Sequence, residues 1–494
     1  MLPSDIRAKL QGLSPEKRAL LEQKLARSKP SIPKRGPKDP RVLSFAQQQL
    51  WLIDQMSPGS AAYNVPYPVR IKGPLRPELL EQSVNQVVAR HEVLRTVFLN
   101  HNGTPIAVLP KQWRVELVRV DLRSVPETER ETELWRLLRL DGARAFDLAR
   151  DMKLRTTLFQ TGDEEFIFHH VSHHISWDMV SKAIFYREVG QIYGALCRGV
   201  APSLPELPAQ YFDFALWQRN TLHEKHFAEL TSFWQQTMSG MPPHLELPPD
   251  KERPPVQSMR GRKHMIEMPA DLLEAVRLRS ADLNVTSYMI LLATYKVLLL
   301  CYSRQEDIVV GSPFAARPPG AEGMIGMFVN TLVLRTKIAL DLTFREVVYR
   351  VRDTTLAAIA HQDCPFQKIV EAVRPPRDPS RNALFQVNFR VQGGSPAPLE
   401  LRDVTTELLR PADNGFSKFD LALELPSSPK SMGFFEYSTD LFDASTIEKL
   451  SDNFFALLRT LLADPLCRLA DIPLVREICR TCRRPAPASQ ASAD

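Results

Sequence analysis

Between Pro77 and His91, Leu80, Val84, Val87 and Val88 recur at helical spacing while Glu78, Gln82 and Asn85 fall outside their stripe. That spacing predicts an amphipathic helix with one face to pack. Glu165 to Ser172 is dense in β-formers and follows the turn Thr161-Gly162-Asp163, which predicts a strand. In the second half, Ala270 to Arg279 reads as a helix and Ser287 to Tyr302 as an apolar helix. Ile308-Val309-Val310 reads as a buried strand closed by Gly311-Ser312-Pro313. Near the amino end, Ser14-Pro15-Glu16 sets a capping hydroxyl, a first-turn proline and an early acid before Leu20, Leu21 and Leu25, predicting a short helix that stops near Ser28.

Proline breaks this pattern twice. Lys29 to Pro40 holds four prolines and four basic residues, too irregular for a helix or strand. A second cluster runs from Met241-Pro242-Pro243 through Leu247-Pro248-Pro249 to Pro254-Pro255, near the midpoint. The expected organisation is a helix and linker over 1–40, a first lobe over 41–240, an inter-lobe linker over 241–256 and a second lobe over 257–480. A disordered tail over 481–494 completes it. A chain of 494 residues exceeds one ordinary hydrophobic core, which also favours two lobes.

Composition changes this picture little. With 44% hydrophobic and 24% charged residues the chain reads as globular, and a net charge of +6 is too weak to imply nucleic acid. Six scattered cysteines suit a reduced compartment. Cys479 and Cys482 form a C-x-x-C with no second pair to complete a zinc site. The first residues lack a signal-peptide core and no apolar run approaches a membrane span, so a cytoplasmic protein without membrane contact is expected.

The densest chemistry is His169-His170-Val171-Ser172-His173-His174-Ile175-Ser176-Trp177-Asp178-Met179, where four of eleven histidines fall within six positions. Strand alternation would set His170, Ser172 and His174 on one face. Imidazoles at positions 170 and 174 would then sit about 13 Å apart at about 3.3 Å per residue, too far for one ion. No metal is expected. Structural hydrogen bonds are the simpler reading for His169 and His170. Past the strand's end, His173, His174 and Asp178 permit another arrangement, with one imidazole presented to a cleft and a carboxylate fixing the local geometry. His223-Glu224-Lys225-His226 only imitates a metalloprotease helix, since Phe227 stands where the second histidine belongs.

His173 to Met179 resembles the HHxxxDG motif of nonribosomal peptide synthetase condensation domains and the wider chloramphenicol acetyltransferase-like superfamily. Further segments resemble the other core motifs of that family, in order: Ser44 to Trp51, Arg90 to Phe98, Tyr211 to Trp217, Ile325 to Thr331, His361 to Phe366, and Arg377 to Asn382. The resemblance implies an α/β fold of two acetyltransferase-like lobes in a V-shaped pseudo-dimer with a tunnel between them. It implies amide bond formation between a donor acyl thioester and the amine of an acceptor aminoacyl thioester. Each is delivered on the 4'-phosphopantetheine of a peptidyl carrier protein, and the domain binds no cofactor itself. Adjacent synthetase domains are the other expected partners, the domain acting as a monomer, either excised from a synthetase or free-standing.

By the same resemblance His174 orients the amine and takes its proton, His173 supports it, and Asp178 is structural, with Arg317 or Arg95 as its cationic partner. Trp177, Met179 and Asn330 are expected to line the channel. Met179 departs from the motif's glycine. A left-handed backbone there would strain methionine, whereas a channel position would narrow the passage. Competing readings are a non-catalytic platform for carriers or tailoring enzymes, a free-standing acyltransferase, and an epimerase of the same superfamily. The opening, fifth and seventh motifs are closer to condensation.

Overall fold

A computed structural model describes residues 32–222, 224–392, 398–410, 414–429 and 431–481. The helix expected at 14–28, Cys482 and the tail from 482 lie outside the described residues.

The first half runs through α1 (Phe45–Met56), β1 (Asn64–Lys72), α2 (Pro77–Arg90), β2 (Val97–His101), β3 (Thr104–Val108), β4 (Leu117–Asp121) and α3 (Glu127–Ala143). β5 (Leu154–Gly162), β6 (Glu165–His173), α4 (Met179–Cys197), α5 (Tyr211–Thr221) and α6 (Glu224–Met238) follow. The second half adds β7 (Gly261–Ile266), α7 (Ala270–Asp282), α8 (Ser287–Ser303), β8 (Asp307–Ala315), β9 (Val329–Lys337), α9 (Phe344–Ala360) and α10 (Phe366–Val373). It closes with β10 (Val387–Val391), β11 (Thr405–Leu408), β12 (Leu421–Leu425), β13 (Gly433–Ser438), α11 (Ala444–Ala463) and α12 (Pro473–Thr481).

Two mixed sheets organise these elements. The first has the order β11-β1-β6-β5-β4 and the second β7-β13-β12-β10-β8-β9. Each is backed by its own core. α2 takes the bounds its apolar stripe predicts, and Leu80, Val84, Val87 and Val88 are all buried. Each such side chain contributes about 1.5–3 kcal/mol relative to exposure. α8 is buried almost throughout because it runs through the second core, where the Lys296 ammonium bonds the Leu334 carbonyl at 2.6 Å and Thr336 Oγ1 at 2.7 Å.

The lobes exchange segments that the proline pattern does not reveal. Leu230, Trp234 and Met238 of α6 pack in the second core, so that lobe begins ahead of the proline cluster, which only lacks regular structure. β11, from the second half, joins the edge of the first sheet beside β1. Leu399 and Leu401, just before it, enter the first core. Gly190 of α4 admits this crossing, because a Cβ there would lie 2.3 Å from the Glu400 carbonyl oxygen. Residues 32–40 are irregular yet attached. Ile32 is buried in the first core and Arg35 pairs with Glu92 at 2.6 Å.

Candidate active site

β6 ends at His173, and Asp178 caps α4 four residues after His174. The chain between them makes one tight turn, His174 to Ser176. That turn is pinned from three sides. The His174 amide donates to the Tyr63 carbonyl at 2.9 Å, the Gln47 side chain donates to the Ile175 carbonyl at 3.0 Å, and the Ser176 hydroxyl donates to the Val93 carbonyl at 2.9 Å. Gln47 is held by a capping box with Ser44 at the start of α1. The segments Ser44 to Trp51 and Arg90 to Phe98 therefore act here as scaffolding for the histidine turn. Ile325 to Thr331 belongs to the same scaffold. Gly326 lies flat on the Tyr211 ring, where a Cβ would come within 1.9 Å, and its amide donates to Ser181 Oγ at 3.0 Å.

The four histidines divide by environment. His169 Nδ1 meets Asp141 at 2.9 Å and His170 Nε2 meets the Tyr186 hydroxyl at 3.0 Å, so both serve the first lobe's structure. His173 is buried and its Nδ1 accepts from the Ile175 amide at 3.2 Å, which puts the ring's proton on Nε2. Burial, with Lys153 nearby, holds its pKa well below the usual imidazole range. His174 is half-buried, and its Nδ1 is closed off from solvent with no hydrogen-bond partner among the described residues. Desolvation by surrounding protein, then the Lys418 charge, push its pKa down to about 3, against the pull of the Trp177 and His174 backbone. The ring is neutral throughout the working pH range of ordinary enzymes.

Asp178 is buried and fully engaged. Its carboxylate accepts from the Ser181 amide and hydroxyl at 2.7 Å each, from Arg317 Nη2 at 3.0 Å to both oxygens, and from the Phe328 amide at 3.3 Å. Arg317 also donates to the carbonyls of Ala321 and Met324 and lies 4.0 Å above the Phe328 ring. The pair ties the start of α4 to a segment of the second half. Arg95 takes no part, because its guanidinium faces the Trp113 ring at 5.5 Å instead.

Trp177, expected to line the channel, is placed otherwise. Trp177 is sealed in the first core against His170 and Phe185, since the turn at His174 resets the strand's alternation. The Asn330 amide is consumed by the backbone, donating to the carbonyls of Gln362 and Cys364 at 2.8 and 2.7 Å and accepting from the Phe366 amide at 3.1 Å. Met179 does face open space. It is the first residue of α4, its φ is not positive, and 48% of it is exposed beside the Tyr67 hydroxyl at 3.9 Å. The backbone therefore carries no strain from the missing glycine.

The other wall of this space comes from the second sheet and was not legible locally. Arg390 of β10 and Glu424 of β12 act electrostatically on Tyr67, and Arg390 and Lys418 act on His174. Arg390 keeps 43% of its side chain exposed. His174, Met179 and Arg390 each keep exposed surface, and Tyr67, beside Met179 and within electrostatic reach of Arg390, groups them between the two sheets. Clefts of about 870 Å³ beside Arg35 and about 810 Å³ beside Arg381 lie elsewhere. Among the described residues no group of three or more histidines, cysteines or carboxylates is placed to share a metal ion, and no single helix is long and apolar enough to cross a membrane.

The family model of the condensation domain matches residues 38–479. The chain is 38% identical to a linear gramicidin synthase polypeptide of Brevibacillus parabrevis over 94% of its length and 6% of that protein's. It is 36% identical to phosphinothricin tripeptide synthetase PhsC of Streptomyces viridochromogenes, over 95% of its length and 44% of that protein's. It thus spans less than half the length of either relative. Among solved structures, the X-domain from teicoplanin biosynthesis superposes with a TM-score of 0.80 at 27% identity, covering 90% of this chain and 99% of that one. The first condensation domain of the CDA synthetase superposes at 0.76 with 21% identity, covering 88% and 99%. The two-lobed acetyltransferase-like fold expected from the motifs is the fold found.

Proposed function

As a member of the condensation-domain family found in nonribosomal peptide synthetases, this chain, we propose, forms an amide between a carrier-bound donor acyl thioester and the amine of a carrier-bound acceptor. The observation that carries the reading is His174, a neutral imidazole with open surface on a turn pinned from three sides.

The amine attacks the thioester carbonyl, a tetrahedral intermediate forms, and the C–S bond breaks so that the pantetheine sulfur leaves and takes up, as its thiol, the proton the amine gives up. A free α-amine has a pKa of about 7.7–8.0, so a useful fraction is already neutral near pH 7.5. His174 then need only accept a hydrogen bond from that amine and aim its lone pair. A pKa near 3 makes the ring a weak base, so orientation outweighs proton removal. Holding two tethered substrates head to head supplies effective molarities of about 10⁵ M or more in well-aligned cases. His173 fixes the turn through Ile175, and Asp178 with Arg317 fixes α4. Neither touches the reacting atoms. Two carrier proteins would reach the cleft from opposite mouths of a tunnel, each contributing a phosphopantetheine arm.

A platform reading draws on the likeness to the X-domain, for which a complex with OxyB has been solved. Incubating the chain with donor-loaded and acceptor-loaded carriers and following product by mass spectrometry separates the two. Amide product above the carrier-only background is expected. Carrier binding without product across a panel of aminoacyl pairs would favour the platform.

A further inference from the structure

The surroundings of His174, on both sheets, carry more charge than packing requires. On the second sheet, Arg390 pairs with Glu424 in the next strand, and Glu436 stands opposite Lys263 in register. These two pairs balance. Two cations are left over. Lys182 of α4 is 3% exposed, and its Nζ lies 4.8 Å from the Tyr67 ring centre with no hydrogen bond or ion pair among the described residues. Lys418, just ahead of β12, sets its Nζ 4.4 Å from the ring centre of Tyr63, whose carbonyl anchors the His174 amide. It too makes no ion pair among the described residues.

An ammonium held from water without a counter-ion is costly to keep, and Lys182 is buried while Lys418 is partly so. Glu424 acts on Lys182 and Glu436 on Lys418, but each acid already has a cation beside it. Burial pushes both lysines down to about 8, so each remains largely protonated at neutral pH. The tyrosine faces beneath them hold the ammonium groups without neutralising them.

We propose that Lys182 and Lys418 form an anion subsite in the His174 cleft, selecting an acyl group whose side chain bears a carboxylate. The phosphate of a pantetheine arm is the other available anion, but it sits at the far end of the arm from the thioester. Lys418 lies over the ring of Tyr63, the residue whose carbonyl anchors the His174 amide beside the reacting end. The inference rests on the proposed amide-forming reaction for the identity of the ligand, though not for its charge.

The test uses two unreactive probes, the glutamyl and glutaminyl amides of pantetheine, with phosphopantetheine lacking an acyl group as a third. Isothermal titration of the whole chain is expected to show the glutamyl probe binding about tenfold tighter than the glutaminyl one. Lys182→Met and Lys418→Met should each reduce that ratio to about twofold or less, and Lys182→Arg should restore it, which a folding defect would not do. Equal affinity for the two acyl probes in the wild type overturns the subsite. Binding of bare phosphopantetheine that is lost in Lys182→Met overturns its assignment to the acyl group. A glutamyl preference in a chain that never forms amide keeps the subsite and rejects the reaction, so the two failures are distinguishable.

Discussion

Asp178→Ala is expected to lower the unfolding free energy by about 3–5 kcal/mol, the usual cost of stripping one partner from a buried ion pair. The physical reason is what remains. Arg317 would keep its charge among Phe328 and the carbonyls of Ala321 and Met324, with no ion pair left among the described residues and only the longer-range pull of Glu322. The same change removes the cap of α4, since the carboxylate accepts from the Ser181 amide and hydroxyl. Asp178→Asn keeps an oxygen for the cap and loses the charge, so a smaller fall is expected. Urea unfolding measures both. Activity per folded molecule should drop far less than in a variant of His174, because Asp178 holds the scaffold and touches no reacting atom. A stability close to wild type in Asp178→Ala would mean that the junction of α4 with the second half is held by other contacts.

His174→Ala shows the opposite division. Its fold should survive, since the turn is pinned through backbone groups of residues 174 and 175 and the Ser176 hydroxyl rather than through the imidazole. The single-turnover rate of amide formation should fall about 10²-fold, the low end for a positioned proton acceptor, because a ring with a pKa near 3 orients more than it ionises. Quenched-flow mass spectrometry with preloaded carriers gives the rate. The variant should also be less sensitive to acid. The ring's pKa is depressed in the folded state, so the unfolded chain binds the extra proton between about pH 6.5 and 3, and stability is lost as pH falls through that window. Removing the ring removes that contribution.

Much of the scaffold was legible in sequence because it is local. The 3.6-residue stripe of α2 and the β-rich run of β6 depend on neighbours along the chain, and both appear within a residue or two of their expected bounds. The histidine cluster was legible as chemistry, but its geometry was not. Strand alternation carried past His173 puts His174 on the face of His170, whereas the turn breaks the phase there and seals Trp177 into the core. That the Asn330 amide serves the backbone of residues 362–366 was likewise not legible, because nothing local reveals it.

What escaped entirely is what two distant segments make together. Arg390, Lys418 and Glu424 lie more than two hundred residues from the motif whose cleft they complete, and no periodicity encodes that meeting. The proline cluster at 241–256 misled in the same way. It marks where regular structure is missing, while the division between cores is set by which face α6 buries and by β11 crossing back to the first sheet.

The pH dependence of single-turnover amide formation, measured with two acceptors whose amines differ in basicity by about one pKa unit, tests the role given to His174 most directly. Lys182 and Lys418 titrate near the same range, so the decisive quantity is movement of the limb rather than its position. If the imidazole is already neutral, the rising limb belongs to the amine and shifts by about one unit with the acceptor. A limb fixed near pH 6.5 for both acceptors would contradict this account, showing that a histidine must lose its proton before the chain can act.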